Sequence, residues 1–226
     1  MLRVVVIEDE PAIADLIARS LRRSGHEVTT ASTAVAGLDL IANTGPDVVL
    51  LDLGLPDHDG LDVLRDIRRS DEALGVICVT ARVDEIDRIL GFEVGADDYV
   101  TKPFSPRELN GRVKALGRRV LAARGSRDAD NGVLTAGTLE VDCSSRQVTI
   151  DGASLDLTRM EFDLLAHLLS HKGHACERLT IVESVWGHSW LGQSRTLDVH
   201  VGQLRRKLDD SVTITTLRGV GYRLEA

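Results

Sequence analysis

The chain is poor in cysteine, in long apolar runs and in positive charge. Cys78, Cys143 and Cys176 are odd in number, widely spaced and without a C-x-x-C pair. They give neither a disulfide framework nor a zinc knuckle, and read as buried or incidental thiols. Apolar stretches such as V-V-V-I at 4–7 are far too short to cross a bilayer, and no small-residue cleavage site follows that one. The expectation is a soluble cytoplasmic protein with no membrane partner. Lys and Arg number 27 against 35 Asp and Glu, a formal net charge of −8, which by itself speaks against a nucleic-acid partner.

The distribution of charge reverses that reading. Residues 1–118 hold 14 Lys and Arg against 21 Asp and Glu, whereas the stretch 195–223 holds 6 against 3. Acid gathers at one end and a basic patch at the other. A length of 226 residues suits two domains of ordinary size, and 43% hydrophobic with 27% charged residues is ordinary for globular proteins.

The first half alternates two periods. Short Val/Ile/Leu-rich runs at 2–7, 28–31, 48–51, 74–79 and 98–101 predict strands, most of them buried on both faces. Between and after them, apolar residues recur at helical spacing over 13–21, 34–42, 61–67, 83–94 and 106–119, the first helix being closed by Gly25. Five β-α units in strict alternation imply an α/β fold, a doubly wound, five-stranded parallel sheet of the flavodoxin-like kind, over residues 1–119. Residues 120–132 read as a linker, with Gly125, Ser126, Asn131 and Gly132 among charges.

Residues 133–226 change character. Short alternating segments over 134–157 carry an Asp151-Gly152 hairpin turn. Helices are expected at 159–170, opened by a Thr158/Glu161 capping box, at 178–186 and at 195–208, before a β-like end with Gly219 and Gly221 in a turn. That order outlines an α+β winged helix-turn-helix.

Glu8 and Asp9 follow the first strand and Asp52 follows the third. In a doubly wound sheet, ligands bind at the carboxyl ends of the strands where the strand order reverses, so the three carboxylates should converge. Such a cluster stays ionised by sharing a cation, and hard oxygen ligands suit Mg²⁺. A carboxylate beside Mg²⁺ can attack phosphorus. The blander reading is a solvated charge run that caps the helix beginning at Pro11, with Asp52 an unrelated loop residue.

The strings V-V-V-I-E-D-E-P, L-L-D-L-G-L-P-D-H-D-G, V-T-A-R and D-D-Y-V-T-K-P-F resemble, in order and spacing, the receiver domain of two-component response regulators. The resemblance implies Asp52 as phosphoacceptor, with Asp9, Asp52 and the carbonyl of Gly54 on Mg²⁺ and Glu8 in support. It implies Thr80 and Lys102 on the phosphoryl oxygens, Tyr99 switching with Thr80, and a cis Lys102-Pro103 bond. Relatives usually carry a larger side chain, often Met, where this chain has Gly54, which should expose the phosphoryl group to water. Haloacid-dehalogenase-type phosphatases, the enzymatic alternative, need an Asp at that same position.

The second half, through L-T-R-M-E-F-D-L-L, V-W-G, R-T-L-D-V-H-V-G-Q-L-R-R-K-L and T-L-R-G-V-G-Y-R-L, is similar to the OmpR/PhoB winged-helix effectors. In this subfamily active receivers dimerise through crossed charges, here Arg88 with Glu108, Asp98 with Arg112 and Glu93 with Lys114. The implied function is a transcription factor rather than an enzyme. Its partners would be a sensor histidine kinase, double-stranded DNA in tandem half-sites, a second copy of itself and RNA polymerase. Leu197, Val201, Leu204 and Leu208 share one face of their helix and are expected in the core. Arg195, Thr196, Val199, His200 and Gln203 are expected to project outward into a major groove, with Arg205, Arg206, Arg218 and Tyr222 completing the DNA-facing set. His167, His171, His174 and Cys176 lie close enough to suggest a metal. They fall in a helix and turn where the family has none, so the expectation there is ordinary structure.

Overall fold

The computed structural model describes residues 1–81, 91, 94–125, 132–187, 195–208 and 212–225. It divides into two compact units, Met1–Ala122 and Ala123–Ala226.

In the first unit, strands β1 (Arg3–Ile7), β2 (Glu27–Ala31), β3 (Val48–Leu51), β4 (Gly75–Thr80) and β5 (Asp98–Thr101) form a parallel sheet in the order β2-β1-β3-β4-β5. β3 and β4 are buried along their whole length, as strands covered on both faces by helices must be. The connecting helices are α1 (Pro11–Arg23), α2 (Ala34–Thr44) and α3 (Gly60–Ser70), and α4 (Pro106–Gly125) follows β5. Pro11 at the first turn of α1 loses no hydrogen bond there. Asp59 caps α3 by accepting from Leu61 N at 2.9 Å. One core, on the face covered by α1 and α4, joins Val4, Val6, Val48, Leu50, Ile77 and Val79 to Ile17, Leu21, Leu109, Val113 and Leu116.

The helix expected at 106–119 is longer in the structure. α4 runs to Gly125, because Leu121, Ala122, Ala123 and Arg124 are strong helix formers that prolong it past 119. The expected helix at 83–94 lies, Gly91 and Val94 aside, outside the described residues, as do Arg88 and Glu93.

The second unit opens with an antiparallel sheet of β6 (Val133–Ala136), β7 (Leu139–Asp142), β8 (Gln147–Ile150) and β9 (Ala153–Ser154). Asp151 and Gly152 both have positive φ, 51° and 78°, the backbone that a tight β8–β9 hairpin demands. Helices α5 (Arg159–Ser170), α6 (Arg178–Val185) and α7 (Arg195–Leu208) follow, with a short strand β10 (Cys176–Glu177) before α6. The chain ends in the hairpin β11 (Thr213–Leu217) and β12 (Gly221–Glu225), whose second strand also pairs with β10. The capping box of α5 is formed: Glu161 Oε2 accepts from Thr158 N at 2.7 Å and Thr158 Oγ1 from Glu161 N at 3.4 Å. Glu161 is buried, and Lys207 of α7 reaches it at 2.6 Å, which ties the two helices together at their polar ends. Gly221 is fixed by close approach, since a Cβ there would stand 2.0 Å from the carbonyl oxygen of Cys176. No helix among the described residues is long and apolar enough to cross a membrane.

Candidate functional site

The carboxyl ends of β1, β3, β4 and β5 meet at one edge of the sheet. Glu8 and Asp9 leave β1, Asp52 leaves β3, Thr80 ends β4 and Lys102 follows β5. The backbone bonds at this edge continue the strand ladder: Asp52 N donates to Ile7 O and Lys102 N to Thr80 O, both at 2.9 Å. Each functional side chain is therefore set by the sheet rather than by a free loop. Ligand oxygens of Glu8, Asp9 and Asp52 lie within 4.8 Å of one another. Lys102 Nζ stands 2.6 Å from Asp52 Oδ2, 2.7 Å from Glu8 Oε1 and 3.7 Å from Glu10 Oε1, the last an addition that spacing alone did not single out. The Lys102-Pro103 bond is cis.

Charge in this pocket is unbalanced. One ammonium faces three carboxylates, and Glu8 and Asp52 are almost wholly buried. Burial pushes the Glu8 carboxyl up to about 7, the hydrogen bond from Lys102 opposing and the charge of Asp52 adding to the rise. Burial would lower Lys102, but its bonds to Asp52 and Glu8 prevail and raise it. The donor set fits a divalent cation: hard oxygens, converging, with negative charge left over.

Thr80 is buried at the rim of the pocket and Tyr99 is buried beside Gly91. Gly54 N donates to Asp52 Oδ1 at 2.8 Å, and Gly54 itself is exposed. Asp57, which sequence reasoning passed over, accepts from Ala34 N at 2.9 Å and Val35 N at 3.2 Å, fastening the loop after Asp52 to the start of α2. Its D-H-D surroundings offered no signal beyond an acidic loop.

Among the residues expected in crossed charges, Asp98, Glu108 and Arg112 are bonded to one another within the chain. Arg112 Nη1 binds both oxygens of Asp98, at 3.0 and 2.8 Å, and Arg112 Nη2 binds Glu108 at 2.7 Å, all within one chain. Asp98 and Arg112 are buried, 3% and 4% exposed, so their pairing is internal to the receiver unit. Spacing cannot tell the two cases apart, because complementary charges satisfy an internal pair as readily as one between copies. Lys114 is exposed.

On α7 the outward face is also corrected. Leu197, Val201, Leu204 and Leu208 are buried as expected, but so are Thr196, His200 and Gln203, at 2%, 0% and 2% exposure. The buried face spans two adjacent stripes of the helix, and the ring of His200 packs 5.5 Å from that of Trp186. Val199 is half-buried, and the side chain of Arg195 lies outside the described residues. Arg205 and Arg206 are exposed, yet Arg205 is committed to the hairpin, donating from Nε to Ile214 O at 2.9 Å and from Nη2 to Thr216 Oγ1 at 2.8 Å. Tyr222, expected at the DNA surface, is 4% exposed. Its hydroxyl donates to Asp198, which Arg178 also holds at 2.7 Å. Arg218 is exposed at the hairpin tip beside Gly219, whose φ is 75°.

Comparison with known proteins agrees with this geometry. Residues 4–114 match the family described as the response regulator receiver domain, and residues 152–224 match that described as transcriptional regulatory protein, C terminal. The "Sensory transduction protein RegX3" of Mycolicibacterium smegmatis is 42% identical over the full length of both chains. The "Alkaline phosphatase synthesis transcriptional regulatory protein PhoP" of Bacillus subtilis is 38% identical, covering 99% of this chain and 96% of that one. Among solved structures, DrrB of Thermotoga maritima, an OmpR/PhoB homologue, matches over the whole of both chains with a TM-score of 0.53 and 29% identity. A mutant of RitR matches over 99% of each with a TM-score of 0.75 and 26% identity. The chain belongs to the two-component DNA-binding response regulators of the OmpR/PhoB type.

Proposed function

We propose that Asp52 is the residue through which this regulator receives its signal, with a sensor histidine kinase as donor. The observation that carries the reading is the placement of Asp52 Oδ2 against Lys102 Nζ at 2.6 Å, in a pocket whose other carboxylates leave negative charge uncompensated. A carboxylate oxygen of Asp52 attacks phosphorus in the kinase phosphohistidine. The O–P bond forms as the N–P bond breaks, and the departing imidazole nitrogen keeps the electron pair and takes up a proton. Glu8, Asp9, Asp52 and the Gly54 carbonyl would hold Mg²⁺, which when bound supplies neutralising charge for the phosphoryl oxygens. Lys102 grips one of those oxygens and Thr80 accommodates another, with Tyr99 behind it.

The phosphorylated receivers pair, and exposed Glu108 and Lys114 on α4 belong to the pairing face. The effector then reads double-stranded DNA in tandem half-sites in the cytoplasm and acts with RNA polymerase. Val199, Arg206 and Arg218 carry the DNA contact.

Incubation with Mg²⁺ and radiolabelled acetyl phosphate should label the wild-type chain and not Asp52→Ala. Equal label in the variant would overturn the assignment.

A further inference from the structure

We propose that the effector domain carries a second cation site, of a different chemical class from the acidic pocket: a transition-metal site for Zn²⁺ built from His167, His171 and Cys176. One ligand atom from each of the three lies within 4.8 Å of the others. The site answers to nothing in the phosphorylation reading, and DNA contact does not use these residues.

Local structure brings the three together. His167 lies in the last turn of α5 and His171 caps its end, their rings 4.7 Å centre to centre. The chain then turns through Gly173, with φ 79°, and returns as β10, which begins with Cys176. β10 is anchored by pairing with β12, Cys176 opposite Tyr222, so the sulfur is held by the sheet while the imidazoles are held by the helix.

Two details orient the imidazoles as ligands. His171 Nδ1 lies 2.9 Å from the carbonyl oxygen of His167. A proton on that nitrogen satisfies the carbonyl and leaves the lone pair on Nε2, the outer-sphere arrangement that metal-bound histidines use. His167 Nε2 is buried and has no hydrogen-bond partner among the described residues. His174 is not among the converging ligands, because its Nδ1 turns to Lys172 O at 3.1 Å.

Two imidazoles and a thiolate are the borderline-soft set that Zn²⁺ prefers over Mg²⁺. With bonds of about 2.0 Å to nitrogen and 2.3 Å to sulfur, tetrahedral ligand atoms stand roughly 3.3–3.6 Å apart. From separations of up to 4.8 Å the ligand atoms must close by at most about 1.5 Å on binding, and the exposed His171 ring can tilt that far while its Nδ1 stays on the His167 carbonyl. The Cys176 proton leaves to solvent as the metal–sulfur bond forms.

The test uses the full-length chain with Mg²⁺ in excess, so that the oxygen-only acidic pocket is occupied, and Co²⁺ as a spectroscopic substitute for Zn²⁺. One equivalent of Co²⁺ should give a near-ultraviolet thiolate-to-cobalt charge-transfer band, and added Zn²⁺ should abolish it. Cys176→Ser should remove the band. His171→Ala, whose altered side chain is exposed and leaves the fold intact, should weaken Co²⁺ binding by roughly tenfold or more. Absence of the band in the wild type, its persistence in Cys176→Ser, or undiminished affinity in His171→Ala would each overturn the site.

Discussion

Lys102 Nζ lies 2.6 Å from Asp52 Oδ2 and is held there with Glu8 on its other side at 2.7 Å. One cation thus serves two buried carboxylates, with Asp9 as a third nearby, and burial, with the charge of Asp52 adding to it, pushes the Glu8 carboxyl up to about 7. The fold favours protonated Glu8, so this contribution to stability is complete below the ordinary carboxyl value of 4.5 and is lost as pH rises through about 7. Without a divalent cation, thermal unfolding of the receiver should shift down by a few degrees between about pH 5 and about pH 8, and saturating Mg²⁺ should flatten the profile. Glu8→Gln should flatten it without Mg²⁺. A level profile for the wild-type chain in EDTA would remove the basis for this charge balance.

Gly54 should set how long a phosphoryl group on Asp52 survives. A Cβ at this position would meet Asp52 Oδ1 at 3.5 Å, an ordinary contact, so a side chain fits and would overhang the acceptor. Gly54→Met should slow loss of phosphate several-fold by shielding the acyl phosphate from water. Half-lives of the phosphorylated wild type and variant, measured side by side, decide the matter, and equal values reject the idea.

Arg112 is an internal strut of the receiver. Its guanidinium grips Asp98 with two bonds, and neither side chain is more than 4% exposed. Arg112→Ala would strand a buried carboxylate, at a cost of about 3–5 kcal/mol. Urea unfolding at concentrations where the chain is monomeric should register most of that loss. If Arg112 acted only between copies, the monomer would be as stable as the wild type.

The parts of this molecule that were legible in its sequence are those governed by local chemistry. The alternation of apolar runs placed β3 and β5 to the residue, the Asp151-Gly152 pair marked a hairpin, and Thr158 with Glu161 marked the start of α5. Convergence of Glu8, Asp9 and Asp52 followed from strand order, because side chains at the ends of neighbouring parallel strands meet at one edge, whereas Lys102 was expected there only from the resemblance to receiver domains. What polarity alone misjudged was burial. Thr196, His200 and Gln203 were expected outside because they are polar, yet α7 buries a face wider than its leucine stripe. Asp98 and Arg112 were expected between copies from the resemblance to the subfamily, and within the chain they bond to each other. The His167, His171 and Cys176 cluster was raised by spacing and set aside as ordinary structure, because the distance from His171 to Cys176 depends on the turn at Gly173, which residue spacing does not specify.

The last prediction concerns how the effector meets DNA. Three arginines on α7 and the hairpin look equivalent by charge and differ by what already holds them. Arg205 is bound to Ile214 O and Thr216 Oγ1, so its removal loosens the join between α7 and β11. Arg218 at the exposed tip is within reach of a backbone or minor groove, and exposed Arg206 adds positive charge on α7. Arg218→Ala should therefore weaken binding to all sequences alike and reduce the slope of log affinity against log salt by about 1, leaving thermal stability unchanged. Arg205→Ala should lower the unfolding temperature of the effector as well as affinity. Val199 is half-buried, and if its methyls meet thymine as proposed, Val199→Ser should relax preference at a single position. Gln203, buried, should not set base preference, and Gln203→Ala should leave the selected sequence unchanged. Site selection with the phosphorylated chain should return direct repeats about one helical turn apart, which bring two recognition helices to the same face of the duplex. Inverted repeats, or a Gln203→Ala protein that selects a different sequence, would show that α7 presents another face to the groove than the one its burial indicates.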